Sequence, residues 1–204
     1  MIVYLRHHEI DREQWDNCIK DSPGSKPYGY SWYLDIMAPG WEALTDDYDS
    51  VFPVPGFKKF GIKYVATPVF LQQLGAYSPD KSPQIANSEF IEYLPEFYWL
   101  IDLCTAQRID NDRFRVTLKA NYELDLSGSY DKLWDKFSSH CRRNIEKAGK
   151  KKTEITEDIK PAMLIELFRQ NAGGRIKGIK ERDYQHLNEL MDFCIKNKKG
   201  RILA

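Results

Sequence analysis

The sequence predicts a mixed α/β protein: one unit of strands and helices, then a long basic helix, then the start of a second unit. Three observations carry this. The first 126 residues read as strand, helix, helix, several short strands, helix and strand. The remainder reads strand, helix, helix and start of strand, which repeats the order that opens the chain; the repeat lies in the order of elements, not in the residues. Charge also changes sign along the chain. Residues 1–130 hold 12 Lys and Arg against 19 Asp and Glu, a net of −7, whereas residues 131–204 hold 18 against 11, a net of +7. The expected boundaries are 1–126 for the first unit and 127–204 for the connecting helix and partial second unit.

Each element has a local cause. Ile2–Leu5 is short and β-branched, so it reads as a strand. Asp11 caps a helix to about Lys20, with Gln14 placed for a capping box. Ser31–Met37 is a second helix, closed by Pro39-Gly40. Brief runs at Glu42–Leu44, Ser50–Pro53 and Gly61–Val69, with the turn Pro53-Val-Pro-Gly56, predict an antiparallel meander. Ser82 before Pro83 starts a helix to about Leu94. The apolar run Glu96–Cys104 predicts a buried strand, and the alternation over Arg113–Leu126 predicts one or two more. After Ser127-Gly-Ser129, the spacing of Leu133, Phe137, Cys141, Ile145 and Ala148 predicts one helix over Tyr130–Lys150, buried along that stripe. Then follow a strand at Thr153–Thr156 and a helix at Pro161–Asn171 with Met163, Leu164, Leu167 and Phe168 inward. A second helix at Arg182–Asn197 turns Leu187, Leu190, Met191, Cys194 and Ile195 inward, and Arg201–Ala204 starts a strand.

Composition narrows the function classes. Charged residues make up 29% and hydrophobic residues 42% of the 204, which suits a sizeable core. No run approaches the roughly 18 apolar residues of a membrane helix. The N-terminus turns charged at Arg6 and lacks a signal-peptide core, so a cytoplasmic location is expected. Cys18, Cys104, Cys141 and Cys194 are scattered and three of them fall on apolar helical stripes; they read as reduced thiols, and no Cys/His spacing suits a metal. His7, His8, His140 and His186 share no spacing, and no nucleophile elbow, P-loop or zinc-protease motif occurs.

Two stretches carry candidate chemistry. Gln72-Gln-Leu-Gly-Ala-Tyr77 sets amide and phenol groups beside a glycine that permits close approach; the alternative is an ordinary loop after a strand. Residues 141–152 hold six Lys or Arg against one Glu. Such a face holds phosphate, a tRNA backbone or anionic lipid, or else is a solvated surface at a unit boundary. Arg142 and Arg143 lead because guanidinium grips phosphate or carboxylate bidentately. The aromatic group Tyr28, Tyr30, Trp32, Tyr33 and Trp41 either stacks on a substrate or anchors the core.

The stretch Thr67-Pro-Val-Phe-Leu-Gln-Gln-Leu-Gly-Ala-Tyr-Ser78 resembles the "p-f-Q-x-x-G-x-y" segment of the double-GNAT acyltransferases, the bacterial family that includes the FemAB aminoacyltransferases. Leu124-Asp-Leu followed by Ser139-His-Cys-Arg-Arg-Asn-Ile-Glu-Lys-Ala148 is similar to the same family's "(s/t)-x-x-R-R-x-I-x-K-A" helix. The resemblance implies a GNAT-like (acyl-CoA N-acyltransferase) fold, repeated in tandem. It implies transfer of an acyl or aminoacyl group to an amine, from acyl-CoA or aminoacyl-tRNA, without a metal. The acceptor is a small molecule or cell-envelope precursor bearing an amine, and tRNA is an expected partner. Gln73, Gly75 and Tyr77 then line the acceptor cleft, and Arg142, Arg143 and Lys147 bind substrate phosphate or carboxylate. On this resemblance the strands that hold the donor lie beyond Ala204, so the chain alone is expected to be a poor acyltransferase. The alternatives are a non-catalytic ligand- or phosphate-binding module, or nucleic-acid binding through the basic helix.

Overall fold

The computed structural model describes residues 1–109, 111–151, 154–157 and 159–204, without the side chains of 83–85. The fold is mixed α/β. Strand β1 (Val3–Leu5) leads through helices α1 (Arg12–Asp21) and α2 (Ser31–Met37) to β2 (Glu42–Asp46) and β3 (Ser50–Val54). These three strands form an antiparallel sheet with β2 central, Tyr4 opposite Leu44 and Leu44 opposite Phe52. A second sheet holds β4 (Gly56–Lys59), β5 (Ile62–Ala66) and β6 (Tyr98–Asp102). Here β4 and β5 are antiparallel, and β6 runs parallel to β5 after helix α3 (Pro83–Ile91). The expected meander is therefore present but divided. Pro55, between β3 and β4, has no N–H for a ladder bond, and the pairing changes sheet there.

Alternation along β2 and β3 fills both faces of the first sheet. Ala43 and Val51 join Trp15, Ile19, Leu34 and Trp41 under α1 and α2. Leu44 and Phe52 join Val65, Ala86 and Phe90 under α3. Of the early aromatic group, Trp41 and Tyr33 are buried, and Trp32 stacks on Phe193 of α7 (Glu181–Lys196) at 5.2 Å, so the group packs the core. Helix α7 lies along α2, and α6 (Pro161–Gln170) packs on α7. Asp11 caps α1 by accepting from the N–H groups of Glu13 and Gln14. Gln14 returns its side chain to the Asp11 carboxylate, while the Asp11 N–H goes to the Tyr48 hydroxyl.

Asp35 on α2 ties the helices to the sheet end. It accepts from Arg12 Nε (2.9 Å) and Trp41 Nε1 (2.8 Å). Burial alone would raise this carboxyl, but the hydrogen bonds from Arg12 and Trp41 outweigh it and hold the pKa below the ordinary 3.8. A depressed folded-state pKa gives stability that is present above the unfolded value and lost as pH falls through the folded one. Wild-type stability should thus decline below about pH 4, and Asp35→Asn should lose that part of the decline in acid-denaturation curves.

Several expectations are corrected. The helix expected over Tyr130–Lys150 is two: α4 (Tyr130–Lys136) and α5 (Ser139–Lys150). Ser138 breaks it, because its side chain accepts from the Cys141 N–H (3.2 Å) and caps a new helix. Among the described residues neither helix packs along its length on another element, so the stripe is not core, and Ile145 is 42% exposed. Ile145→Ala should therefore change unfolding free energy by less than about 0.5 kcal/mol, measured by denaturant titration. The run at Glu96–Cys104 is an outer strand, with Trp99 81% exposed, because β6 pairs with β5 alone. Arg113–Leu126 forms no strand; no neighbour offers it a ladder. On α6 the buried positions are Pro161 and Ile165, with Met163 and Leu167 outward; on α7 they are Tyr184 and Leu190, with Ile195 outward. Thr153 lies outside the described residues. Thr156 and Ala204 exchange two backbone hydrogen bonds (2.8 and 3.0 Å) across α6 and α7, but neither sits in a regular strand.

Candidate functional site

The segment Gln72–Ser78 joins the two sheets. On one side Tyr77 and Val51 exchange backbone hydrogen bonds of 2.8 and 2.9 Å, extending the antiparallel sheet past β3. On the other, the Leu74 N–H donates to Cys104 (2.8 Å) and the Ala106 N–H donates to Leu74 (3.1 Å), a parallel pairing that prolongs the direction of β5 and β6. The pairing ends there. The next free donor on the segment, the Ala76 N–H, turns to the side chain of Asn87, whose Oδ1 accepts it at 2.6 Å. Asn87 sits on α3 and is 1% exposed. Asn87 of α3 thus takes the donor that the parallel pairing no longer uses.

Gly75 is required at this point. Its φ of +151° disfavours any other L-residue, and a Cβ there would lie 2.9 Å from Asn87 Oδ1. Tyr77 packs its ring against Gly29, where a Cβ would come within 2.4 Å of the ring. Burial pushes its phenol well above the ordinary value, so it stays neutral and serves as packing. The same logic applies to Cys18, whose thiol burial raises to about 11 while it donates to the Tyr77 carbonyl; that thiol is not a nucleophile at neutral pH.

Beside this segment lies a cleft of about 520 Å³ between residues 101–109 and 114–121, bordered by Gln72, Gln73, Asp102 and Asn121 and by the apolar Ile101, Leu103, Val116 and Leu118. A smaller pocket of about 140 Å³ adjoins it beside Lys26, Gly75, Asn87 and Gln107. Gln73 lines both. Its Oε1 accepts from Asn121 at 3.5 Å, a long bond that leaves the oxygen available to a better donor. Gln72 is held more firmly, accepting from the Tyr28 hydroxyl (3.2 Å) and donating to Asn121 (2.9 Å). Lys26 pairs with Glu123 at 3.0 Å and closes the rim.

Of the candidate residues, Gln73, Gly75 and Tyr77 thus meet in one place, all three lining the smaller pocket, with Tyr77 also packed on Gly29. Arg142, Arg143 and Lys147 stand apart on α5. Neither pocket includes them, and none makes an ion pair with a described residue. Asn87 and Asn121 escaped the sequence reading. Asn87 carried a signal, a polar residue beside Ala86 on the apolar side of a helix; Asn121 carried none. Among the described residues no three His, Cys, Asp or Glu side chains converge as a metal set, and no helix is long and apolar enough to cross a membrane. The chain has no significant match among family models, curated proteins or solved structures.

Proposed function

We propose that the chain belongs to a cytoplasmic N-acyltransferase of the double-GNAT, FemAB-like kind, and that residues 1–126 hold the amine acceptor in the cleft beside Gln73. The observation that carries this reading is the fork itself: the parallel backbone pairing at Leu74 and Thr105 stops, the Ala76 N–H turns to Asn87 of α3, and a cleft bordered by Gln73 lies beside them. The strand–helix–helix–strand opening and the motif around Gln73 support it, as does the matching order through Thr156, α6, α7 and Ala204. Residues 127–204 are then the connecting helices and elements of a second GNAT-like unit.

In such a reaction the amine nitrogen attacks the acyl carbonyl. The new C–N bond forms, the thioester or ester bond breaks, and the coenzyme A thiol or the tRNA hydroxyl leaves with a proton. Alignment supplies much of the rate, and donors aimed at the developing oxyanion supply more. Gln73 Oε1 and the Asp102 carboxylate, both on the cleft, accept N–H bonds from an amine and orient its lone pair. The test is to titrate the protein with a panel of amines, including a cell-envelope-precursor peptide, by calorimetry, because acceptor binding needs only residues 1–126 in this reading. Binding that weakens at least tenfold in Gln73→Ala is expected. Failure of every amine to bind, or binding indifferent to Gln73→Ala, overturns the reading.

A second reading rests on one observation. Arg142, Arg143 and Lys147 present cationic groups on α5 without acidic partners among the described residues. Phosphate or nucleic-acid binding through that face would weaken steeply with salt. Salt-sensitive RNA binding lost in Arg143→Ala, without amine binding, would favour it.

A further inference from the structure

The longest strict alternation in the chain has no use in the fold described so far. From 115 to 126, Val116, Leu118, Ala120, Tyr122, Leu124 and Leu126 alternate with polar residues. That pattern belongs to a strand with one covered face. Yet every residue of the stretch is exposed, Tyr122 at 91% and Leu118 at 71%, and its backbone makes no backbone hydrogen bond to a described residue. The polar side faces the body: Asn121 bonds Gln72, and Glu123 pairs with Lys26. On the apolar side Val116, Leu118 and Ala120 border the open cleft without being buried, and the backbone ladder groups make no backbone bond to a described residue, which is the template another strand pairs with.

The order of charges says which strand. Counting outward from Ala120, Lys119 is matched by Asn121, Thr117 by Glu123 and Arg115 by Asp125. The apolar positions match likewise, Leu118 with Tyr122 and Val116 with Leu124. Read backwards onto itself, the stretch thus brings one pair of opposite charges together, Arg115 with Asp125, sets its other two charges against neutral polar residues, and keeps apolar on apolar. An antiparallel copy centred on Ala120 sets Arg115 opposite the partner's Asp125, and Leu118 opposite the partner's Tyr122. No like charges face one another. A parallel copy in register would stack Arg115 on Arg115 and Asp125 on Asp125, which is unfavourable.

We propose that a second copy of this chain covers residues 115–125, pairing as an antiparallel strand about a two-fold axis at Ala120. The interface is isologous, so it closes at two chains. It lies beside the cleft, which residues 114–121 already border. The inference does not depend on acyl transfer.

The test is sedimentation of the full chain from about 1 to 100 µM, with the exposed variants checked for folding by circular dichroism. A dimer is expected. Arg115→Asp and Asp125→Arg should each weaken it roughly tenfold, since the two-fold axis counts every cross-strand pair twice. Both changes in one chain should restore it. Ala120→Cys should give a disulfide-linked dimer under mild oxidation that the wild type, with its four cysteines, does not give. A wild-type monomer throughout the range overturns the proposal. So does a dimer indifferent to both single reversals, which would place the interface elsewhere.

Discussion

Trp15→Ala is expected to lower the unfolding free energy by about 3–5 kcal/mol, the largest single effect in this chain. Trp15 is fully buried on α1, its ring centroid lies 4.7 Å from that of Trp41, and its Nε1–H donates to the Gly29 carbonyl at 2.9 Å. The substitution removes a large packed surface and leaves a buried acceptor without its donor. It also frees Gly29, which the Tyr77 ring presses closely, so the damage reaches the segment that forms the fork. Trp15→Phe keeps the six-membered ring but loses the pyrrole part and its hydrogen bond, and should cost less, about 2–3 kcal/mol. Denaturant titration of both variants checks the account. A cost below about 1 kcal/mol for alanine would show that α1 is not anchored here.

The second large effect is expected at Gly75 and Asn87, which act as a pair. Asn87→Ala leaves the Ala76 N–H without its 2.6 Å acceptor at a buried position, for about 1–3 kcal/mol. Gly75→Ala forces a side chain into a φ of +151° and against Asn87 Oδ1, for a similar cost of about 1–3 kcal/mol. The two changes should not add. In the Asn87→Ala background the close contact is gone, so Gly75→Ala should cost about 1 kcal/mol less than in the wild type. Strict additivity in this double-mutant cycle would mean that the strain lies in the backbone alone.

The parts of the fold legible in the sequence were those set by local chemistry. Helix α2 spans Ser31–Met37 as its flanking residues require, and α1 starts at the Asp11 cap. What failed depended on partners. Period-two alternation at 113–126 describes a face to be covered but does not supply the neighbouring strand. The apolar stripe from Leu133 to Ala148 has a helical period, yet a single serine side chain reset the helix, and nothing in a period says whether a surface lies beneath it. At the site, the motif around Gln73 and Gly75 could be read because glycine reports a close approach. The approaching group, Asn87, could not be, since it comes from another element 12 residues on.

The most direct test of the acceptor cleft is to map amine binding on the backbone by two-dimensional ¹⁵N NMR, using lysine amide and a cell-envelope-precursor peptide as probes. The account predicts shifts at Leu74, Ala76, Thr105 and Asn121, and roughly tenfold weaker binding in Gln73→Ala, the loss of one well-placed hydrogen bond. Shifts confined to α5 around Arg142, Arg143 and Lys147, with the cleft resonances unmoved, would contradict it.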